Sequence, residues 1–311
     1  MDGKQLQDQY KNHLSDFHDW EQKSHAENWT LFPENTSERL SIDETSFSNG
    51  ELYTIVTSKA GKGRKGTVVA TVKGTKADDI IAVLERIPVR LRNKVREVTM
   101  DMAANMAKAI RRCFRNAKRV IDRFHVQKLA YDAVQELRVR YRWKVLDEES
   151  EHIANARKKG IPYDPEILSN GDTLKQLLVR SRLLLFKHPS RWTESQKHRA
   201  ELLFGRFPLI KKAFELSMAL GDVFNKCKSK QGAFTKLGLW HNQVENSGIK
   251  SFESVARSIA AHHVNILNYF DNKSTNASAE SFNAKLKAFR SVFRGVRDTT
   301  FFLYRVMKLY A

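Results

Sequence analysis

The pattern of apolar residues changes near residue 122, and this change is the strongest constraint on the fold. Before it, short runs rich in β-branched residues predict strands, at residues 40–43, 52–57, 67–72, 95–100 and 118–121. After it, apolar residues recur every three or four positions up to about Tyr269, as at Val126, Ala130 and Val134. This spacing predicts helices. The chain therefore combines an early set of strands with a long helical stretch.

The segments between the runs predict how the strands connect. Asn49-Gly50 separates the first two runs and is a strong hairpin signal. A glycine-rich, basic segment at 59–66 forms the second turn. Helical spacing over 77–86 and 103–115 places a helix on either side of the fourth run. This order is typical of a mixed α/β sheet covered by helices.

A final amphipathic helix beyond residue 270 suggests that the helical stretch interrupts a single α/β domain. We therefore expect a polar N-terminal arm at 1–38 and the first part of the core at 39–125. A helical insertion follows at 126–269, and a C-terminal helical region at 270–311 completes the core.

The charge of the chain predicts a polyanionic partner. Lysine and arginine number 54 against 35 aspartate and glutamate residues, giving a formal net charge of +19, and a basic surface gains affinity from each phosphate it neutralises. No apolar run approaches the roughly 20 residues that span a bilayer. Only two cysteines occur, Cys113 and Cys227, so neither a disulfide framework nor a zinc site is expected. We expect a cytoplasmic protein without a membrane partner.

Three widely separated acids stand out in these basic surroundings. Asp43 and Asp101 each end a strand-like run, and Glu280 lies on the last amphipathic helix. Magnesium prefers carboxylate oxygens on rigid elements, and two such ions roughly 3.5–4 Å apart can catalyse displacement at phosphorus. The spacing alone leaves open that the aspartates are turn caps.

Neighbouring residues leave further alternatives open. Asp122 also ends a strand-like run and rivals Asp101 as a second ligand. His125 either supports a ligand or a phosphate, or is a hydrogen-bonded core residue. Asn283, one turn past Glu280, either orients that carboxylate or is an exposed helix amide.

The last helix has two distinct faces. Helical spacing places a carboxylate, two amides and a basic stripe on one face, comprising Asn276, Glu280, Asn283, Lys287, Arg290 and Arg294. Phe282, Leu286, Phe289 and Phe293 lie on roughly the opposite face. We expect the aromatic face to pack on a sheet, and the basic stripe of Lys287, Arg290 and Arg294 to bind DNA phosphates.

Several segments together carry a resemblance to a known family. They are Asp43-Glu44, VTMDM at 98–102, DRFHV at 122–126 and NASAESFNAKLK at 276–287, followed by Arg290, Gly295 and Phe301. The sequence resembles bacterial insertion-sequence transposases with an RNase H-like DDE core. It is most similar to the ISL-three family, in which an all-helical insertion separates the second aspartate from the glutamate.

The resemblance implies a fold and a chemistry. The fold is an RNase H-like mixed sheet with flanking helices, interrupted by the helical insertion before the catalytic helix. Asp43, Asp101 and Glu280 take the catalytic positions and bind Mg²⁺ or Mn²⁺, with two ions expected. The partners are transposon ends and target DNA, with a homo-oligomer assembled on DNA in the nucleoid region of a bacterial cytoplasm.

Two other functions fit the same features, and the N-terminal residues depart from the usual pattern of the family. A non-catalytic DNA-binding protein derived from the fold, or a metal-dependent nuclease without strand transfer, shares the same features. Relatives usually carry a zinc-binding and helix-turn-helix region before the first aspartate, whereas residues 1–38 lack the necessary cysteines. We therefore expect end recognition to reside on a separate polypeptide, or the chain to be a truncated copy.

Overall fold

A computed structural model describes residues 3–46, 51–292 and 298–311. The chain forms two compact units. Unit 1 comprises residues 1–122 and 272–311, and unit 2 comprises residues 123–271. Compared with the predicted insertion at 126–269, unit 2 begins three residues earlier and ends two residues later.

Unit 1 is built on a mixed six-stranded sheet with the order β1-β4-β3-β2-β5-β6. Its strands are β1 (Trp29–Leu31), β2 (Arg39–Ser46), β3 (Leu52–Ser58), β4 (Val68–Lys73), β5 (Glu97–Met100) and β6 (Lys118–Ile121). The pairs β1–β4, β4–β3 and β3–β2 are antiparallel. Strand β5 pairs in parallel with both β2 and β6. The five predicted strands are all present, and the RNase H-like fold class is confirmed. The predicted Asn49-Gly50 turn lies outside the described residues.

Helices cover both faces of this sheet. The helices of unit 1 are α1 (Gly3–Gln9), α2 (Ala77–Leu84), α3 (Val89–Arg92), α4 (Ala104–Cys113), α12 (Ala277–Val292) and α13 (Thr299–Tyr310). On one face, alternate strand residues such as Ile42 and Val98 are fully buried in a core with α2 and α4. On the other face, Ile55 packs with Phe282 and Leu286 of α12. The described part of the aromatic face predicted for the last helix therefore packs on the sheet, and Phe293 lies outside the described residues.

The N-terminal residues are part of unit 1 rather than the polar arm that we expected. Strand β1 pairs with β4 at the edge of the sheet. Phe17 is buried against Phe301 and Tyr304 of α13, with ring centroids 5.0 and 5.3 Å away. A three-residue strand and isolated aromatics in a polar segment give too little periodicity to be recognised, because their partners are distant in the chain.

Unit 2 is helical throughout its described elements. They are α5 (Arg123–Lys158), α6 (Leu174–Arg180), α7 (Glu194–Arg206), α8 (Pro208–Lys226), α9 (Lys230–Glu245), α10 (Lys250–Leu267) and α11 (Tyr269–Asn272), the last ending one residue beyond the unit. Capping boxes at Thr173 and Thr193 open α6 and α7. None of the helices in the described part of the chain is both long and apolar enough to cross a membrane.

Candidate active site

The carboxyl ends of β2 and β5 carry two aspartates in register. Ser41 of β2 pairs with Thr99 of β5 in the parallel ladder. Asp43 and Asp101 each lie two residues further along and therefore stand at the same level of the sheet. Because side chains alternate between faces, both project from the face of Ser41 and Thr99. This face is opposite to the core formed with α2 and α4.

A third aspartate extends this line onto β6. Met100 pairs with Ile121, and the residues that follow them are Asp101 and Asp122. The backbone N–H of Asp122 donates to the Met100 carbonyl oxygen at 3.0 Å, which continues the ladder to this level. We refer to Asp43, Asp101 and Asp122 as the aspartate row. Three adjacent strands thus present carboxylates at one edge of the sheet.

Neutral donors orient the first two carboxylates of the row. Asp43 Oδ1 accepts the backbone N–H of Glu44 at 2.9 Å, and Asp43 Oδ2 accepts the amide of Asn283 at 2.8 Å. Asp101 Oδ1 accepts the backbone N–H of Ala103 at 2.8 Å, just before α4. Donors of this kind fix a carboxylate without cancelling its charge.

Helix α12 brings Glu280 to the aspartate row. The residue before the helix, Asn276, donates its backbone N–H to Asp122 Oδ2 at 3.2 Å. The Asn276 carbonyl accepts the backbone N–H of Glu280 at 2.8 Å. Carboxylate oxygens of Asp122 and Glu280 lie within 4.8 Å of one another. Asn283, one turn later, contacts Asp43 at the other end of the row.

The predicted acids therefore meet at one edge of the sheet, but Glu280 does not lie equally close to all of them. Within the described residues, Asp43, Asp101 and Glu280 do not form a set whose oxygens all lie within 4.8 Å, whereas Asp122 lies that close to Glu280. Asn283 is 6% exposed and donates to Asp43 rather than standing free on the helix surface. The choice between Asp101 and Asp122 remains a prediction.

The position of His125 is set by the start of α5. It lies in the first turn of that helix, at the beginning of unit 2, and its side chain is half-buried. Its Nε2 atom is buried and has no hydrogen-bond partner among residues 3–46, 51–292 and 298–311. The expectation of a hydrogen-bonded core histidine is therefore not met at this atom.

Negative charge at the row affects the neighbouring Glu44. Burial raises the pKa of Glu44, and the charges of Asp101 and Asp43 raise it further, against an opposing hydrogen bond from Asn105. Like charges held this close disfavour one another's ionised forms. A cation at this edge would relieve that repulsion.

Comparison with known families decides the identity of the chain. A family model described as a transposase, of the ISL-three group of DDE transposases, matches residues 40–306. The match spans the whole aspartate row and Glu280. The chain belongs to this transposase family. No curated protein and no solved structure gives a significant match.

The acids of the transposase fit a hard divalent cation. Carboxylate and amide oxygens are the ligands that magnesium prefers. Two buried amide oxygens beside the row, Asn276 Oδ1 and Asn283 Oδ1, have no hydrogen-bond partner in the described part of the chain. A buried acceptor left in this way costs about 1–3 kcal/mol. A cation, or a water bound to it, would satisfy such atoms.

A half-buried lysine next to the row was not predicted. Lys59, which follows β3, donates to the Thr99 hydroxyl, and its Nζ lies 3.7 Å from Glu97 Oε1. Glu97 also accepts the amide of Asn272 at 3.0 Å. Burial lowers the pKa of Lys59, while the charges of Glu97 and Asp122 oppose that shift. The sequence shows only a basic turn here, and no local pattern separates this cation from its exposed neighbours.

The predicted basic stripe of the transposase is not a uniform surface. Lys287 is exposed. Arg290 is half-buried, and its guanidinium carbon lies 5.0 Å from the centroid of the Phe302 ring. Arg294 lies outside the described residues. Of the two described residues, Lys287 has the solvent exposure expected of a residue that binds phosphates.

Proposed function

We propose that the chain is a DDE transposase that cuts DNA at the ends of an insertion sequence and joins those ends to target DNA. The observation that supports this most is the meeting of the aspartate row with Glu280 in a chain of the transposase family. Register across three parallel strands fixes the aspartates, and α12 fixes the glutamate. Rigid carboxylates of this kind are what metal-dependent phosphoryl transfer requires.

In this proposal Asp43, Asp101 and Glu280 hold two divalent ions, Mg²⁺ or Mn²⁺. Such ions, when bound, activate the attacking oxygen and stabilise the leaving oxygen at phosphorus. The three side chains come from a strand, a strand end and a helix, so their separation does not depend on a mobile loop. Hydrolysis at the element end frees a 3′-hydroxyl, which then attacks target DNA. Neither step forms a covalent bond between protein and DNA.

Asp122 has a different role in this proposal. Its Oδ2 accepts the backbone N–H of Asn276, directly before α12, so Asp122 anchors the start of the helix that carries Glu280. Asp101 is assigned the second ligand position because the resemblance places it there and because it stands in register with Asp43. The exposed Lys287 and the net charge of +19 supply the attraction for DNA phosphates.

A strand-transfer assay on DNA carrying the element ends, with and without Mg²⁺, tests the function. We expect Glu280→Gln to reduce cleavage and joining by about 100-fold or more, because several kcal/mol of transition-state stabilisation depend on the ions. DNA affinity should stay nearly unchanged. The matched control is Glu201→Gln, an exposed helix glutamate of unit 2.

The outcomes separate the alternative functions. Glu280→Gln activity within tenfold of the wild type excludes this residue as a ligand. Cleavage without joined products identifies a nuclease. Binding without metal-dependent cleavage by the wild-type protein identifies a non-catalytic DNA-binding protein.

A further inference from the structure

We propose that Asn276 and Asn283 are positioning residues that hold the aspartate row and Glu280 in the arrangement that binds divalent cations. This inference rests on the proposed function. The two asparagines flank Glu280, four residues before it and three residues after it, so Asn276 directly precedes the face of α12 that carries Glu280 and Asn283. Each asparagine contacts a different end of the row.

Asn276 ties three elements together. It is fully buried. Its backbone N–H contacts Asp122 Oδ2 at 3.2 Å, and its amide donates to the Ile42 carbonyl oxygen at 3.4 Å. Its own carbonyl accepts the backbone N–H of Glu280. One residue therefore links the end of β6 and the middle of β2 to the first turn of α12, and it sets where Glu280 stands.

Asn283 fixes the opposite end of the row. Its amide Nδ2 lies 2.8 Å from Asp43 Oδ2. The orientation of the amide follows from chemistry, because a flipped amide would place its oxygen against a carboxylate oxygen. The second oxygen of Asp43 is held by the N–H of Glu44. Asp43 is thereby restricted at both oxygens before any cation arrives.

A purely structural role would leave these amides satisfied by the protein. Buried polar groups in folded proteins nearly always have partners. The Oδ1 atoms of Asn276 and Asn283 are buried without one among the described residues, although both Nδ2 atoms are bonded. The unsatisfied oxygens lie on the two residues that flank Glu280. This coincidence favours a role at the cation site over packing alone.

Mn²⁺ binding to the full chain without DNA, followed by electron paramagnetic resonance or calorimetry, tests the inference. We expect Asn283→Ala and Asn276→Ala to weaken Mn²⁺ binding by about 10-fold or more, as loss of groups that orient ligands typically does. Asn272→Ala is the matched control, because its amide donates to Glu97, outside the row. Its Mn²⁺ affinity should stay within twofold of the wild type.

Asn276→Ser guards against loss of folding, because serine is an equally good residue at a helix start but lacks the amide that reaches Ile42. Its melting temperature without metal should match that of Asn272→Ala, whereas its Mn²⁺ affinity should fall with that of Asn276→Ala. Mn²⁺ affinity within twofold of the wild type for both Asn283→Ala and Asn276→Ser would overturn the inference.

Glu280→Gln, measured in parallel, separates this failure from failure of the proposed function. If the wild-type chain binds Mn²⁺ and Glu280→Gln does not, the metal site is supported. The asparagine variants then test the positioning role by itself. If the wild-type chain binds no Mn²⁺ and Glu280→Gln still cleaves DNA, the proposed function itself fails.

Discussion

The two units hold their aspartates in opposite ways, and those compared are fully buried in unit 2 and half-buried in unit 1. In unit 2, Asp172 is fully buried and is paired with Arg180 and Arg199, the latter with Nε at 3.0 Å. In unit 1, Asp43 and Asp101 are oriented by an amide and by backbone N–H groups. A guanidinium neutralises the carboxylate that it binds, whereas an amide only orients it.

The pKa shifts follow the same division. Burial alone would raise the pKa of Asp172, but the hydrogen bonds and charges of Arg199 and Arg180 outweigh it and lower that pKa. Burial and the neighbouring charges of Asp101 and Asp43 raise the pKa of Glu44 in unit 1. An acid held by cations gains stability from them, whereas under the proposed function the acids gathered beside one another would receive a cation at some cost in stability.

The largest expected effect is the contrast between Asp43→Asn and Asp172→Asn. Asp43→Asn should reduce cleavage by about 100-fold or more, through loss of an anionic ligand, with little change in melting temperature. Asp172→Asn should destabilise the protein by about 2–3 kcal/mol. This loss lies at or just below the range for breaking a buried ion pair, because Arg180 is partly exposed. Calorimetry and the cleavage assay measure the two effects.

Asp132→Asn is the control for the stability arm, because Asp132 forms an exposed pair with Lys128 worth about 0.5 kcal/mol or less. If Asp172→Asn costs no more than Asp132→Asn, the contrast between the units is wrong.

A second prediction sharpens the description of the row itself. Asp101→Asn should be as inactive as Asp43→Asn, because both are assigned as ligands. Asp122→Asn should retain measurable turnover, about tenfold or more above Asp101→Asn, because asparagine keeps an oxygen that can accept the N–H of Asn276. Single-turnover cleavage in Mg²⁺ decides the order. An inactive Asp122→Asn beside an active Asp101→Asn would reverse the assignment.

A third prediction uses pH. The pKa of Glu44 is raised in the folded state, so its contribution to stability is present below the ordinary value of 4.5 and is lost as pH rises through the folded pKa. Glu44→Gln should therefore be more stable than the wild type at neutral pH, and this advantage should shrink toward pH 4. Melting temperatures measured across this range provide the test.

Asp172 should show a pH dependence of the opposite sign, at pH values below its ordinary pKa of 3.8. Its folded pKa is lowered, so its stabilising contribution is present above the ordinary pKa and is lost as pH falls through the folded value.

For Glu44→Gln, a gain in stability over the wild type that is the same at pH 4 and pH 7 would contradict the repulsion inferred at the row.

The smallest expected effect concerns the basic stripe. Lys287→Ala should lower the slope of log affinity against log salt by about 0.9 on duplex DNA, the value for one lost phosphate contact. Lys108→Ala is the control, because Lys108 pairs with Asp78 at 2.6 Å and should leave the slope nearly unchanged. Equal slopes for Lys287→Ala and the wild type would show that Lys287 is ordinary solvated surface.

Most of the fold was predictable because its signals are local. Runs of β-branched residues located five of the six strands, and helical spacing located α2, α4 and the long helical stretch. Strand β1 escaped because three residues carry no usable period, and because its pairing partner lies about forty residues away at Ala70–Val72. The aromatic contacts of Phe17 escaped for the same reason.

The candidate site was predictable in its acids but not in their mutual contacts. The resemblance supplied Asp43, Asp101 and Glu280, and the end of a strand-like run supplied Asp122. No local pattern shows that Arg290 lies against Phe302, or that Lys59 is half-buried beside Glu97. Helical spacing gives the direction of a side chain but not the neighbour that it meets.

The sequence by itself determined the elements, the family and the acids that we propose for the chemistry, because periodicity and motif spacing are properties of neighbouring residues. Only the tertiary structure decided that Asp122 lies beside Glu280 and that Asn276 and Asn283 hold the two ends of the aspartate row. Those contacts depend on the register of parallel strands and on the residue at which α12 begins. The parallel register joins segments about 20 and about 60 residues apart, and the residue before α12 contacts an aspartate 154 residues away. No local pattern encodes either.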